Sequence, residues 1–123
     1  MYVIEVRQDK KVFFVKAAGE MKEAEGKQYV EELKRKVKSV KASELCLIAD
    51  GTETTTSSQE VLPIIQEAYA IFTNSGFRKV IMMLPASAVA GMQLKRVGNG
   101  VKQGNGITYV TNLDQAYIEA AKA

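Results

Sequence analysis

Histidine is absent from this sequence, and cysteine occurs once. Both facts exclude chemistry. Without histidine the chain lacks the commonest general base and the commonest metal ligand. With Cys46 as the one thiol an internal disulfide is ruled out, and a zinc site has too few ligands to form. A serine nucleophile would have no imidazole to activate it. Lysine or carboxylate chemistry would need a visible cluster, and Asp50 and Glu53 are the only acids in the one polar loop that stands out. No catalytic residue, no metal and no cofactor is therefore expected. Long apolar runs are also missing, so no segment approaches the ~20 residues of a membrane span. The start, Met1-Tyr2-Val3-Ile4-Glu5, has neither the basic nor the apolar region of a signal peptide. These features point to a cytoplasmic protein that is not an enzyme.

Charge gives little more. Seventeen Lys plus Arg against 14 Asp plus Glu leave a net +3, too mild to argue for nucleic acid. Lys34, Arg35, Lys36, Lys38 and Lys41 do cluster. They read as a solvated face near the C-terminal end of a helix, where cations suit the dipole. At 123 residues, 46% of them hydrophobic, the chain is one domain, 1–123, with a real core.

The pattern then sorts into elements. Tyr2 to Arg7 alternates, as an edge strand does. Gln8-Asp9-Lys10 is a polar turn, and Lys11 to Lys16 is a second strand whose apolar run suits the sheet interior. After a break at Gly19-Glu20, Lys22 to Val40 is helical, with Ala24, Val30, Leu33, Val37 and Val40 on one face. Phe77 to Leu84 is another buried strand, stopped by Pro85. Ser87 caps a helix carrying Val89, Met92, Leu94 and Val97, closed by Gly98-Asn99-Gly100. The glycine-rich run to Gly106 lies between a helix and a strand. That is the wrong order for a phosphate loop. Ile107 to Val110 is a short edge strand, and Thr111 or Asn112 caps a last helix, Leu113 to Ala121.

The stretch around which these elements are arranged is Glu44 to Gly76. A buried strand, Leu45 to Ala49, leads into the densest run of hydroxyl side chains, Asp50-Gly51-Thr52-Glu53-Thr54-Thr55-Thr56. Ser57-Ser58-Gln59-Glu60 has the spacing of a capping box. A helix follows with Val61, Ile65, Ala68, Tyr69 and Phe72 on one stripe, and Gly76 can close it in the left-handed conformation. Pro63 implies an irregular first turn or a later start. The loop lies where a parallel strand passes into a crossover helix, the place where open α/β sheets meet ligands and partners.

The order is β-β-α-β-α-β-α-β-α. Alternation implies a mostly parallel sheet with right-handed crossovers. The hairpin adds an antiparallel edge, so the fold class is α/β with one mixed five-stranded sheet in sequential order. Crossovers of one hand place the connecting helices on one face. The central strands are apolar throughout, so the other face must also be covered. The last helix, helped by a homodimer contact, is expected there.

This arrangement resembles the STAS domain, also called SpoIIAA-like. The resemblance runs over nearly the whole chain. It rests on the opening hairpin, the Gly19-Glu20-Met21 step, the strand Leu45 to Asp50, the Ser-Ser helix start and the short strand before Asp114-Gln115-Ala116. Phe77-Arg78-Lys79-Val80 and Met92-Gln93-Leu94-Lys95-Arg96 also look like the wider STAS/SEC14-like group. The resemblance implies a bacterial, non-catalytic regulatory domain that docks with another protein, an anti-sigma factor or a kinase-like partner. In anti-sigma-factor antagonists a serine at the start of the second helix, within an Asp-Ser-Ser-Gly-like motif, is phosphorylated. Thr56-Ser57-Ser58-Gln59 matches that motif, keeping both serines and not the aspartate or glycine. Ser58 and Ser57 are thus the phosphorylation candidates, and Asp50, Thr52, Thr54, Thr55 and Thr56 the partner-binding rim. Two other readings stand beside this one. The hydroxyls can simply satisfy local backbone groups. The second reading is a SEC14-like module for an apolar or lipid-like ligand, with Met82, Met83 and Met92 lining an adaptable pocket.

Overall fold

The computed structural model describes residues 1–55, 58–99 and 107–122. Its first strand, β1 (Tyr2–Arg7), pairs antiparallel with β2 (Val12–Gly19), from Tyr2 opposite Ala17 to Arg7 opposite Val12. Gln8–Lys10 between them form one 3-10 turn, and Lys11 closes it in the left-handed region with φ 56°. Then come α1 (Glu23–Lys38), β3 (Cys46–Thr54), α2 (Leu62–Asn74), β4 (Val80–Met83), α3 (Ala88–Asn99), β5 (Thr108–Val110) and α4 (Leu113–Ala121). The strands lie in the order β1-β2-β3-β4-β5, parallel from β2 onward. The mixed, sequentially ordered sheet expected from the sequence is the one found.

Strand periodicity divides the core in two. Successive side chains point to opposite faces, so Phe13, Val15, Leu47, Ala49, Val80 and Met82 meet Leu33 of α1, Tyr69 and Phe72 of α2, and Leu94 of α3. Their neighbours Val12, Phe14, Ile48, Ile81, Met83 and Val110 point the other way and pack against Ala116 and Tyr117 of α4. Burying each of these large side chains stabilises the fold by about 1.5–3 kcal/mol, so neither face can be left bare. The last helix covers the second face, as expected. With α4 in place, that face gives no reason for a second copy of the chain.

α4 owes its position to its cap. Asn112 accepts from the Gln115 amide at 2.9 Å, and the Gln115 side chain reaches back to the amide and hydroxyl of Thr111. Lys79 holds the far end through Glu119 at 2.9 Å.

Several expectations need correction. α2 starts at Leu62, later than the Ser57–Glu60 spacing predicts, and Ser57 itself lies outside the described residues. Its N-cap is Val61, with no side-chain cap bond, and Pro63 falls in the first turn, where its missing N–H costs nothing. β3 runs on to Thr54, through residues that read as loop. Ala24 is exposed, and the inner face of α1 is built from Gly26, Tyr29, Val30 and Leu33. On α3 the buried positions are Ala90 and Leu94. Val89 and Met92 are 66% and 61% exposed, because the helix turns a narrower face to the sheet than its apolar content suggests. Gly76 does adopt positive φ, 88°, just past α2.

Gly51 is buried where β3 passes β4 and α3. A Cβ there would lie 2.9 Å from the Met83 carbonyl oxygen and 3.2 Å from Leu94. Gly51→Ala is therefore expected to lower stability by about 1–3 kcal/mol through overpacking, read by urea denaturation; an unchanged midpoint would contradict this packing. Ala116 is fully buried under α4. Ala116→Asp should cost about 3 kcal/mol or more by burying an unpaired charge. Ile118→Asp, on the exposed side of the same helix, should stay within ~0.5 kcal/mol of the parent. Equal losses from the two would show that α4 does not pack as described.

Candidate functional site

The hydroxyl-rich stretch is built as an outgrowth of the sheet. Lys16 of β2 sits opposite Asp50 of β3, and Ala18 and Gly19 sit opposite Glu53 and Thr54. Between these pairs β3 uses one residue more than β2, which makes a bulge. The extra residue is held locally. Asp50 Oδ1 accepts from the Thr52 amide at 2.9 Å and from the Thr52 hydroxyl at 2.6 Å. The Thr54 hydroxyl donates to the Gly51 carbonyl at 2.7 Å. Lys16 spans the bulge to pair with Glu53, and that hydrogen bond raises the lysine's pKa.

The sequence-predicted rim residues thus fall into two groups. Asp50, Thr52 and Thr54 are half-buried and turned to each other or to the backbone. For these three the local reading of the hydroxyls holds. Thr55 and Ser58 are exposed at the C-terminal end of β3. Thr56 and Ser57 lie outside the described residues. Ser58 supports the approach to α2 with its backbone, its carbonyl accepting from the amides of Val61 at 3.2 Å and Leu62 at 3.3 Å. Its side chain is not needed for that turn.

Sequence reading missed the far end of β2. Lys16 to Gly19 looked like a strand end, yet this segment holds the rim in register.

Beneath the rim, between the sheet and the helices of the first face, is an apolar cavity of about 70 Å³. Tyr29, Ile64, Tyr69, Phe72, Met82 and Leu94 are among its walls. Pockets that hold organic ligands run to roughly 300–1,000 Å³, so this one is too small for an acyl chain. Of the methionines suggested for an adaptable pocket, only Met82 lines it. Met83 faces α4 and Met92 is exposed. The Tyr69 hydroxyl sits 2.9 Å from Met82 Sδ, and burial raises the pKa of both Tyr69 and Tyr29. Among the described residues no three carboxylate or thiol ligands converge. No described helix is long and apolar enough to cross a membrane. The basic cluster of α1 behaves as a solvated face: Lys34 pairs with Glu67 at 3.0 Å, Arg35 lies near Glu32, and Lys41 lies near Glu44.

No protein-family model matches the chain, and no curated protein does. Solved structures do. A protein of the DUF3478 family with a SpoIIAA-like fold, from Shewanella loihica PV-4, aligns with TM-score 0.68 and 15% identity over 98% of this chain and 92% of its own. The anti-sigma factor antagonist SpoIIAA in its unphosphorylated form aligns with TM-score 0.65 and 8% identity over 100% and 99%. An anti-sigma factor antagonist from Mycobacterium paratuberculosis aligns with TM-score 0.61 and 15% identity over 98% and 95%. At such identities the likeness speaks for the fold. It extends from the opening hairpin to the last helix on both sides of each comparison, and so the chain has the SpoIIAA-like fold of STAS domains.

Proposed function

We propose that this chain is a non-catalytic regulatory domain that acts by docking another protein on the rim at the C-terminal end of β3, and that phosphorylation of Ser58 releases the partner. The observation that carries this reading is the division of labour in the rim. Asp50, Thr52 and Thr54 are occupied in holding the bulge, and they leave Thr55 and Ser58 presented to solvent on a fixed base. Thr56 and Ser57 belong to the same proposed surface by sequence. Two of the structural neighbours are anti-sigma factor antagonists, which favours an anti-sigma factor or a kinase-like protein as the partner. The cavity of about 70 Å³ argues against the lipid-binding alternative.

The switch has a simple electrostatic basis. A phosphate on Ser58 adds roughly −1.5 to −2 charges near neutral pH. It joins Asp50, Glu53 and Glu60 around the rim. A partner fitted to neutral hydroxyls then meets like charge and a strongly hydrated group. The fold tolerates the change, because the Ser58 carbonyl and not its hydroxyl holds the turn.

The test compares Ser58→Asp with the parent against proteins first retained from the native host and identified by mass spectrometry. Thermal stability should stay within ~0.5 kcal/mol while binding is lost. Unchanged binding of every retained protein, with no phosphate on Ser58 in material from the host, would end the switch. Equal binding by a Thr55→Asp and Ser58→Asp double variant would end the rim as the docking surface.

A further inference from the structure

One long edge of the sheet, β1, is open. Among the described residues β1 pairs with β2 alone, and no strand lies beyond it. The first pair fixes which backbone groups face outward. The Met1 ammonium donates to the Ala18 carbonyl at 3.3 Å, and the Met1 carbonyl accepts from the Ala18 amide at 2.9 Å. In an antiparallel ladder, pairs that exchange both bonds alternate with pairs that exchange none. Val3, Glu5 and Arg7 therefore bond inward, to Lys16, Phe14 and Val12 opposite them on β2. The amides and carbonyls of Tyr2, Ile4 and Val6 point away from the sheet.

This edge carries none of the usual guards. Sheets protect an open edge with a very short strand, a proline, a lysine or a bulge. β5, at the other edge, has three residues. β1 has six, Tyr-Val-Ile-Glu-Val-Arg, in unbroken register and without proline or lysine. Its two charged side chains are occupied within the chain: Glu5 holds Arg7 at 3.0 Å, and Arg7 Nη1 donates to the Tyr117 hydroxyl at 2.5 Å. Tyr2, Ile4 and Val6 turn their side chains to the core of the first face and are only partly covered there. Val3, on the other face, is exposed.

A purely structural account is available. β1 shields one side of β2 whether or not anything pairs with it. That account explains the hairpin. It does not explain why the strand is complementary to itself. Turned about a two-fold axis at Ile4, a second β1 sets Ile4 opposite Ile4, Tyr2 opposite Val6 and Val3 opposite Glu5. Tyr2, Ile4 and Val6 then each donate and accept across the contact, and the apolar row of the first face continues from one copy into the next. A slip of two residues one way sets Glu5 against Glu5, and a slip the other way leaves Val6 without a partner. In the register at Ile4, Met1 meets Arg7. Each of those cations already has a carboxylate, Glu25 at 2.7 Å and Glu5 at 3.0 Å.

We propose that β1 is the contact between two copies of this chain, paired antiparallel about Ile4 so that one sheet runs through both. A contact built on one strand pair is at the small end of protein interfaces, so the dimer is weak and forms as concentration rises. The two-fold reverses the strand direction. The rims at the C-terminal ends of the two β3 strands therefore face opposite ways and can be occupied together. The contact does not depend on the docking reading.

The experiment is sedimentation equilibrium of the whole chain up to about one millimolar, with amide exchange followed residue by residue. The mass should rise toward that of a dimer. The amides of Tyr2, Ile4 and Val6 should gain protection with concentration, while those of Val3, Glu5 and Arg7 are protected throughout. Ile4→Pro removes an outward N–H that β2 does not use, which an edge strand tolerates, and should abolish association. Val3→Glu places like charges opposite each other at both ends of the contact and should weaken it by roughly tenfold, whereas Val3→Lys, facing Glu5, should not weaken it. Val3 is exposed, so both of its variants should keep the thermal midpoint of the parent. A strict monomer at about one millimolar would overturn the dimer. Association that survives both Ile4→Pro and Val3→Glu unchanged would overturn β1 as the contact, and equal weakening by Val3→Glu and Val3→Lys would overturn the register.

Discussion

The structure depends on one strand being dry on both faces. In β3, Cys46 to Ala49 are all buried, with Leu47 and Ala49 under α1 and α2, and Ile48 under α4. Such a strand cannot form its hydrogen bonds with water, so β2 and β4 must flank it in fixed register. The positions of the other elements follow. The crossovers have one hand and put three helices on one side. The second apolar face then has only α4 to cover it. Beyond Gly51 the same strand leaves the core but keeps β2 as a partner, and this is what makes the rim a stiff feature and not a loose loop.

How far the chain could be read in advance follows the same division. Where burial sets the pattern, the residues announce it: the runs Val12–Val15, Leu45–Ala49 and Val80–Met83 are strands because every side chain is inside. The covering role of α4 was also legible, since an apolar sheet with all its crossovers on one side leaves no other candidate. The rim was less legible. Ser57 to Glu60 has the spacing of a cap, but Pro63 and the turn held by the Ser58 carbonyl move the helix start to Leu62. The Asp50–Thr54 segment looks like a loop because its side chains are polar. It is a strand because Ala18 and Gly19 happen to lie beside it, a tertiary pairing that local composition does not carry. On α3, Val89 and Met92 mislead for the opposite reason, as apolar side chains that nothing covers.

β3 runs from buried Cys46 at its start to Asp50–Thr54 at its end, the base of the rim. At about 3.3 Å per residue these ends are roughly 26 Å apart. They are linked through packed side chains and a hydrogen-bond ladder that the bulge interrupts, and the rim end is rich in hydroxyls. The apolar cavity below the rim is small and leaves the core nearly filled.

The rigid base under Thr55 and Ser58 is the feature on which this account turns. Hydrogen exchange of the free chain, followed amide by amide, measures it directly. The Thr52 amide, bonded to Asp50 Oδ1, and the Glu53–Thr54 stretch paired with Ala18 and Gly19 should exchange more slowly than exposed Thr55. Exchange of Thr52 to Thr54 as fast as that of Thr55 would mean that the extension of β3 is not held by β2, and the rim would then have no fixed geometry to offer a partner.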